Sequence, residues 1–151
     1  MPSFEPADPD FDARVRASFA RQRFMSLIGA TLSRIAPGQV ELDLPFSPQL
    51  TQQHGFVHGG VIASLLDAAC GYAASSLMPA EVGVLTVEFK VNFLAAARGE
   101  GIRAVGRVRR AGRTVTFAEG EAIALDGARQ VVVATTQATL MTIVGRAGVR
   151  H

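Results

Sequence analysis

A single carboxylate stands inside the most apolar segment of this sequence. Residues 59–77 are rich in Ala and Leu and predict a buried helix, with Asp67 near its middle. No other Asp or Glu, and no Lys or Arg, occurs between Pro45 and Ala80. Burying a carboxylate without a partner is costly. Asp67 is therefore either a hydrogen-bonded structural group or a catalytic base or nucleophile.

A second set of candidate residues surrounds the start of the same helix. His58, Gly59 and Gly60 stand where the helix begins, and Gln52 and Gln53 lie in the preceding loop. The first N–H groups of a helix lack intrahelical acceptors and carry partial positive charge, which suits a developing oxyanion. The alternative interpretation is a tight glycine turn that follows a solvated polar loop.

The spacing of the two sets limits what one helix can do. Gly59 and Asp67 are eight residues apart, which is about 12 Å along a helix axis. They cannot both contact one reacting carbonyl. Either they serve different functions, or two antiparallel copies of the helix pair Gly59 of one subunit with Asp67 of the other. The second arrangement predicts an obligate dimer with two identical sites.

The elements around this helix predict an α+β domain. Residues 8–24 read as a helix capped by Asp8 or Asp10, and residues 24–46 read as two strands that turn at Pro37 and Gly38. Four strands follow the central helix, at 86–93, 100–110, 113–125 and 130–143. This order favours a curved antiparallel sheet around one long buried helix. We expect a helical extension at 1–26, the main domain at 27–145 and a tail at 146–151.

Composition restricts the class of protein. The 151 residues are 48% hydrophobic and 19% charged, which is typical of one globular domain. The net charge of +2, with no basic tail, argues against a nucleic-acid partner. One cysteine cannot form an intrachain disulfide and favours a reducing compartment. Since neither a signal peptide nor a membrane-spanning run is evident, we expect a cytoplasmic protein without a membrane partner.

The motif HGGVIASLLDAACG at 58–71, with Gln52 upstream and TVEFKVNFL downstream, carries a family resemblance. It resembles the hotdog-fold acyl-CoA thioesterases of the phenylacetic-acid-degradation type, to which a 4-hydroxybenzoyl-CoA thioesterase branch is related. The resemblance covers roughly residues 25–143. It implies the hotdog fold, an acyl-CoA substrate, no metal or cofactor, and a homodimer that often pairs again into a homotetramer.

The resemblance also implies roles for individual residues. The Gly59 N–H polarises the thioester carbonyl, assisted by Gln52, where the family more often has Asn. Asp67 of the partner subunit acts on water as a base or attacks as a nucleophile. The site residues that it implies are of two kinds, catalytic (Asp67, Gly59, Gln52 and His58) and substrate-binding (Gly60 and Thr86). Of these, His58 fixes the helix start rather than acting as the base.

Other residues and other activities fit this sequence less closely. Arg103, Arg107 and Arg109 share a strand and either bind coenzyme A phosphates or form a solvated strand face. Cys70 is more typical of packing material than of a nucleophile. Two alternative functions remain, a hotdog-type enoyl-CoA hydratase or dehydratase that uses His58, and a non-catalytic acyl-CoA binding module.

Overall fold

One antiparallel sheet wraps one long helix in the computed structural model, which describes residues 4–149. The helices are α1 (Phe11–Ala20), α2 (Arg23–Ile28) and α3 (Gly59–Ser75), with a short 3-10 turn at Pro48–Leu50. The strands are β1 (Thr31–Ala36), β2 (Gln39–Pro45), β3 (Gly83–Phe93), β4 (Gly101–Arg110), β5 (Val115–Asp126) and β6 (Arg129–Ile143). They are ordered β1-β2-β4-β5-β6-β3, and all neighbours are antiparallel. The predicted α+β architecture is confirmed.

Alternate side chains of the strands pack against α3. On β2, Val40, Leu42 and Leu44 are buried while the residues between them are partly exposed, as expected for a strand with one face on the core. Gly106 of β4 sits so close to α3 that a Cβ there would lie 2.4 Å from the backbone carbon of Ala69. The sheet can approach the helix this closely only because that position has no side chain.

The prediction of a buried helix differs from the structure along one strip of α3. Ser64, Asp67 and Gly71 are partly exposed in the single chain, and Gly60 at the start is exposed. These positions follow each other at helical spacing and therefore form one strip. The strip runs beside β3, at the edge of the sheet. Asp67 consequently lies at a surface cleft rather than inside the core.

The segment between α1 and β1 corrects the expected secondary structure. Residues 24–30 were predicted to belong to a strand, but α2 occupies Arg23–Ile28. Gly29, with φ of 80°, ends α2, and the N–H of Ala30 donates to the Met25 carbonyl. This is a glycine-terminated helix end. A strand prediction failed here because six apolar-rich residues are too few to separate a helix from a strand by periodicity.

Arg14 binds α1 to the carboxyl end of α3. The Arg14 guanidinium donates to Ser75 Oγ and to the carbonyls of Ser75 and Met78, and it pairs with Asp8 at 2.7 Å. The pairing lowers the pKa of Asp8. A cation on the last carbonyls of a helix also complements the helix dipole. Neither predicted cap is a side-chain cap of α1: Asp10 occupies the cap position without such a bond, and Asp8 instead accepts from the Asp10 N–H.

None of the helices within residues 4–149 is both long enough and apolar enough to cross a membrane.

Candidate active site

Asp67 and Thr86 lie together in a cleft between α3 and β3. The Thr86 hydroxyl donates to Asp67 Oδ1 at 2.7 Å. Across the described chain, no Lys or Arg pairs with Asp67, and its second oxygen Oδ2 has no hydrogen-bond partner. The cleft has a volume of about 300 Å³ and is lined by both side chains. Asp67 is thus held in place by one neutral donor while its other oxygen remains available.

A β-bulge in β3 helps to aim Thr86 at the helix. Thr86 pairs with Leu140 of β6, whereas Glu88 pairs with the adjacent residue Thr139, so Val87 is an extra residue in the ladder. Bulges of this kind re-aim side chains and bend a strand. Thr86 faces the same side as the buried Leu140, toward α3, while Glu88 is exposed on the opposite face.

The two glycines at the start of α3 differ in whether their backbone N–H groups have an acceptor. His58 occupies the N-cap position, and its Nδ1 accepts from the Gly60 N–H at 2.9 Å. An accepting Nδ1 places the proton of the neutral ring on Nε2. Within residues 4–149 the Gly59 N–H has no acceptor, as is usual for the first position of a helix. His58 therefore caps the helix, Gly60 has its donor occupied, and Gly59 retains a free one.

Gln52 and Gly59 line a second cleft, with a volume of about 390 Å³. Gln52 Oε1 accepts from the His54 N–H, and the Gln52 backbone bonds to Phe56 and Gly55 in a tight loop. No described residue accepts from Gln52 Nε2, so this donor is also available. The ring of Phe93 closes one side, 3.1 Å from where a Cβ on Gly59 would stand.

The two clefts share no lining residue within one chain. The structure brings Asp67 together with Thr86, and it brings Gln52 together with Gly59. It does not bring the two pairs together, since Gly59 and Asp67 stand about 12 Å apart along α3. One chain alone cannot present the free amide donor and the carboxylate to the same carbonyl group.

Sequence reasoning missed two polar residues of the Asp67 cleft. Tyr72 of α3 packs edge-on against Phe19 with ring centroids 5.6 Å apart. Burial raises the pKa of Tyr72, against the lowering effect of a hydrogen bond with Ser18. Gln22, from the junction of α1 and α2, also lines the cleft. Neither residue had a signal in the sequence, since Tyr72 is five positions from Asp67 rather than the three or four that place side chains on one helix face, and Gln22 belongs to a distant segment.

The remaining candidates have structural roles in this chain. Each of the three arginines pairs with a carboxylate on a neighbouring strand: Arg103 with Asp43 at 2.7 Å, Arg107 with Glu121 at 3.1 Å and Arg109 with Glu119 at 3.2 Å. These pairs favour the interpretation as a solvated strand face.

Cys70 is fully buried one turn beyond Asp67. Burial, with a smaller contribution from the negative charges of Asp67 and Glu119, raises the pKa of its thiol to about 12. A thiol that stays protonated is a poor nucleophile, so Cys70 is packing material. Over residues 4–149, no three His, Cys, Asp or Glu side chains are grouped to hold a metal ion.

Comparisons with known proteins identify the family of this chain. Residues 54–131 match the sequence profile of the thioesterase superfamily. A protein of Halobacterium salinarum, named as a candidate esterase, is 37% identical over 100 residues, which is 63% of this chain. The chain spans 66% of the length of that curated relative.

Solved structures show the same fold. A thioesterase family protein from Silicibacter pomeroyi is 49% identical, with a TM-score of 0.88 over 89% of this chain and 99% of that one. The PaaI protein from the phenylacetic acid degradation operon of E. coli is 19% identical, with a TM-score of 0.80 over 93% of this chain and 96% of that one. The likeness to PaaI shows the fold alone. The predicted hotdog fold and the family resemblance are confirmed.

Proposed function

Because this chain belongs to the thioesterase superfamily, we propose that it hydrolyses an acyl-CoA or aroyl-CoA thioester to the free acid and coenzyme A. The observation that supports this most strongly is Asp67, a partly buried carboxylate with one neutral donor, no cation among the described residues and a cleft in front of it. A carboxylate in that setting is suited to proton abstraction or nucleophilic attack.

The proposed chemistry uses only residues of this chain and water. The Gly59 N–H and the Gln52 side-chain amide donate to the thioester oxygen and stabilise the negative charge that develops there. Asp67 either removes a proton from an attacking water or attacks the carbonyl carbon to form an anhydride, which water then cleaves. In both cases the C–S bond breaks, and the coenzyme A thiolate leaves and takes up a proton.

Since the two clefts of one chain are separate, the proposal requires a homodimer. Two antiparallel copies of α3 would place Asp67 of one subunit near Gly59 of the other. The edge strand β3 supports this arrangement, because it pairs with β6 on one side and with no other described strand on its second side. Its Val87, Phe89 and Phe93 are exposed at 55%, 41% and 54%. Exposed apolar edge strands associate readily.

A homotetramer and a cytoplasmic location, where Cys70 remains reduced, complete the proposal.

The Asp67→Asn variant tests the proposed activity. Asparagine keeps the shape and the hydrogen bond with Thr86 but lacks basicity, so kcat should fall by about two orders of magnitude or more while substrate binding is retained. Thiol release from a panel of aliphatic and aromatic acyl-CoAs measures the rate. Asp12→Asn, in an exposed ion pair with Arg16, is the matched control and should leave kcat unchanged. Full activity of the Asp67→Asn protein would refute the proposal.

The position of His58 supports hydrolysis over the hydratase alternative. A hydratase would need the imidazole as an acid–base group, but the Nδ1 of His58 accepts the Gly60 N–H as a cap. Crotonyl-CoA separates the two activities, because hydration removes the enoyl absorbance whereas hydrolysis releases a thiol. Tight acyl-CoA binding without either signal would indicate the non-catalytic binding module.

A further inference from the structure

Two adjoining cavities lie on the outer face of the sheet, which is turned away from α3. Their volumes are about 570 and about 450 Å³, and Arg109, Glu119 and Gln137 line both. Each cavity is larger than the clefts at Asp67 and Gly59, and neither shares a lining residue with those clefts. The proposed hydrolysis therefore uses no residue of these two cavities.

Large apolar side chains are exposed beside these cavities. Leu85, Phe117 and Met141 are exposed at 42%, 45% and 36%. Leu85 pairs with Met141 across β3 and β6, and Phe117 pairs with Thr139, which is two residues before Met141. Residues two apart on a strand share a face, so the three apolar side chains form one patch on the outer face. Groups of exposed apolar side chains mark surfaces where proteins associate.

The charges that line the two cavities balance each other. Three of these side chains are cations and three are carboxylates: Lys90, Arg107, Arg109, Glu88, Glu119 and Glu121. Two of the cations pair with two of the carboxylates within the chain. A face without net charge gives no attraction to a nucleic acid or to a strongly charged protein. It is complementary to a face with the same alternating charges, which a second copy of this chain supplies.

Glu88 and Lys90 of β3 have no ion pair within residues 4–149. Both side chains are exposed, and Glu88 accepts a hydrogen bond from the Thr139 hydroxyl. They are two positions apart on one strand, so both project from the outer face, about 7 Å from each other. A contact with two-fold symmetry occurs twice, because each copy presents the same residues to the other. Glu88 of one copy can therefore face Lys90 of the second copy, while Lys90 of the first faces Glu88 of the second.

We propose that the outer face joins two homodimers into the homotetramer, with Glu88 of each chain paired with Lys90 of the chain that lies opposite. This inference rests on the homodimer of the proposed function, which uses α3 and the free edge of β3 and leaves the outer face uncovered. When two β3 edges meet, their outer faces lie side by side at the middle of the combined sheet. The second contact is then centred on Glu88 and Lys90, and it also covers the patch formed by Leu85, Phe117 and Met141.

Charge reversal tests this surface. The native protein should sediment as four chains in analytical ultracentrifugation. Lys90→Glu and Glu88→Lys each place like charges opposite one another, so each variant should shift to two chains, with the dissociation constant of the tetramer raised about ten-fold or more. The double variant Glu88→Lys/Lys90→Glu exchanges the two charges and should return to four chains. Arg16→Glu, which reverses an exposed charge on α1, is the matched control and should remain tetrameric.

Sedimentation and thiol release, measured on the same proteins, separate the interface from the proposed activity. The interface is overturned if the native protein sediments as fewer than four chains, if either single variant stays tetrameric, or if the double variant does not return to four chains. Thermal unfolding checks that each variant is folded. If the native tetramer depends on both charges but no thioester is hydrolysed, the proposed hydrolysis fails and the interface stands. If thioesters are hydrolysed and the number of chains depends on neither charge, only the interface fails.

Discussion

The first turn of α3 and its middle are built for opposite charges. The first turn offers N–H donors at the positive end of the helix dipole, with the His58 cap holding the turn in place. The middle offers the carboxylate of Asp67, held by a hydroxyl from β3. The first turn is suited to bind an oxyanion, whereas the middle supplies a side chain that can act as a base or nucleophile. In the proposed reaction a backbone N–H stabilises the oxyanion and a side chain acts on water or on the carbonyl carbon. These two groups lie too far apart on one helix to meet, so the proposed reaction needs a second copy of the chain.

Removing one backbone donor should produce the largest effect at the first turn. Proline is well tolerated at the first position of a helix, and the extended backbone of His58, with φ of −61° and ψ of 134°, suits a following proline. Gly59→Pro deletes the N–H and should reduce kcat by about 100-fold or more. Gly59→Ala is the matched control, because it also adds a Cβ beside Phe93 but keeps the donor. Equal rates for the two variants would contradict the role of the N–H.

Mixing the two halves tests whether they belong to one site. Asp67→Asn and Gly59→Pro proteins, each nearly inactive, should regain activity after they are unfolded together and refolded. A random mixture yields heterodimers in which one of the two sites has both native halves, so about a quarter of the native rate is expected. Thiol release measures the recovery, and mixing Asp67→Asn with Asp67→Ala serves as the control. No recovery beyond that control would show that the halves do not combine.

The hydroxyl that holds Asp67 should matter less than the carboxylate itself. Thr86→Val removes the donor from Asp67 Oδ1 at similar volume and should reduce kcat by about ten-fold. Thr86→Ser keeps the hydroxyl and should stay close to the native rate. Steady-state kinetics on one acyl-CoA measure both variants. If the valine variant is as active as the serine variant, Thr86 is a packing residue only.

Replacing Cys70 should have the smallest effect, on stability alone, and measures how far water is excluded from the middle of α3. Because burial raises its pKa from 9.0 to about 12, the unfolded chain loses the thiol proton at a lower pH than the folded chain does. The contribution of Cys70 to stability is therefore fully present below pH 9 and is lost as the pH rises toward 12. Urea unfolding should show the native advantage over Cys70→Ala shrinking by about 1 kcal/mol per pH unit above pH 9. If the difference in unfolding free energy between the native protein and Cys70→Ala does not depend on pH, the thiol is hydrated in the folded protein. The kcat of Cys70→Ala should equal that of the native protein at neutral pH.

The fold was largely readable from the sequence because its main patterns are long. The apolar run of α3 exceeds any strand, and the alternation in β2 marks one buried face. The α2 helix was not readable, since its six residues carry no clear period and its end depends on Gly29 adopting a positive φ. The bulge at Val87 was equally hidden, because pairing with β6 shifts the ladder without leaving a residue-type signal.

Residues of the candidate site could be proposed from the sequence only where a charge was isolated or glycines were adjacent. Asp67 stands out because no other charged side chain is near it in the sequence, and Gly59 because it follows a capping residue. Gln22 is one polar residue among several in a charged helical segment, and only the path of the chain brings it 45 positions forward to Asp67. Contacts between distant segments are set by tertiary packing, which local patterns do not record.

The hydrogen bonds of Arg14 at the carboxyl end of α3 have a consequence for the cleft of Asp67. Together with the contact of Phe19 and the hydrogen bond of Ser18 with Tyr72, they fix the amino-terminal segment on α3, and this segment carries Gln22 to a cleft whose carboxylate comes from α3. A change in that segment therefore alters one wall of the cleft while Asp67 and the helix start stay as they are.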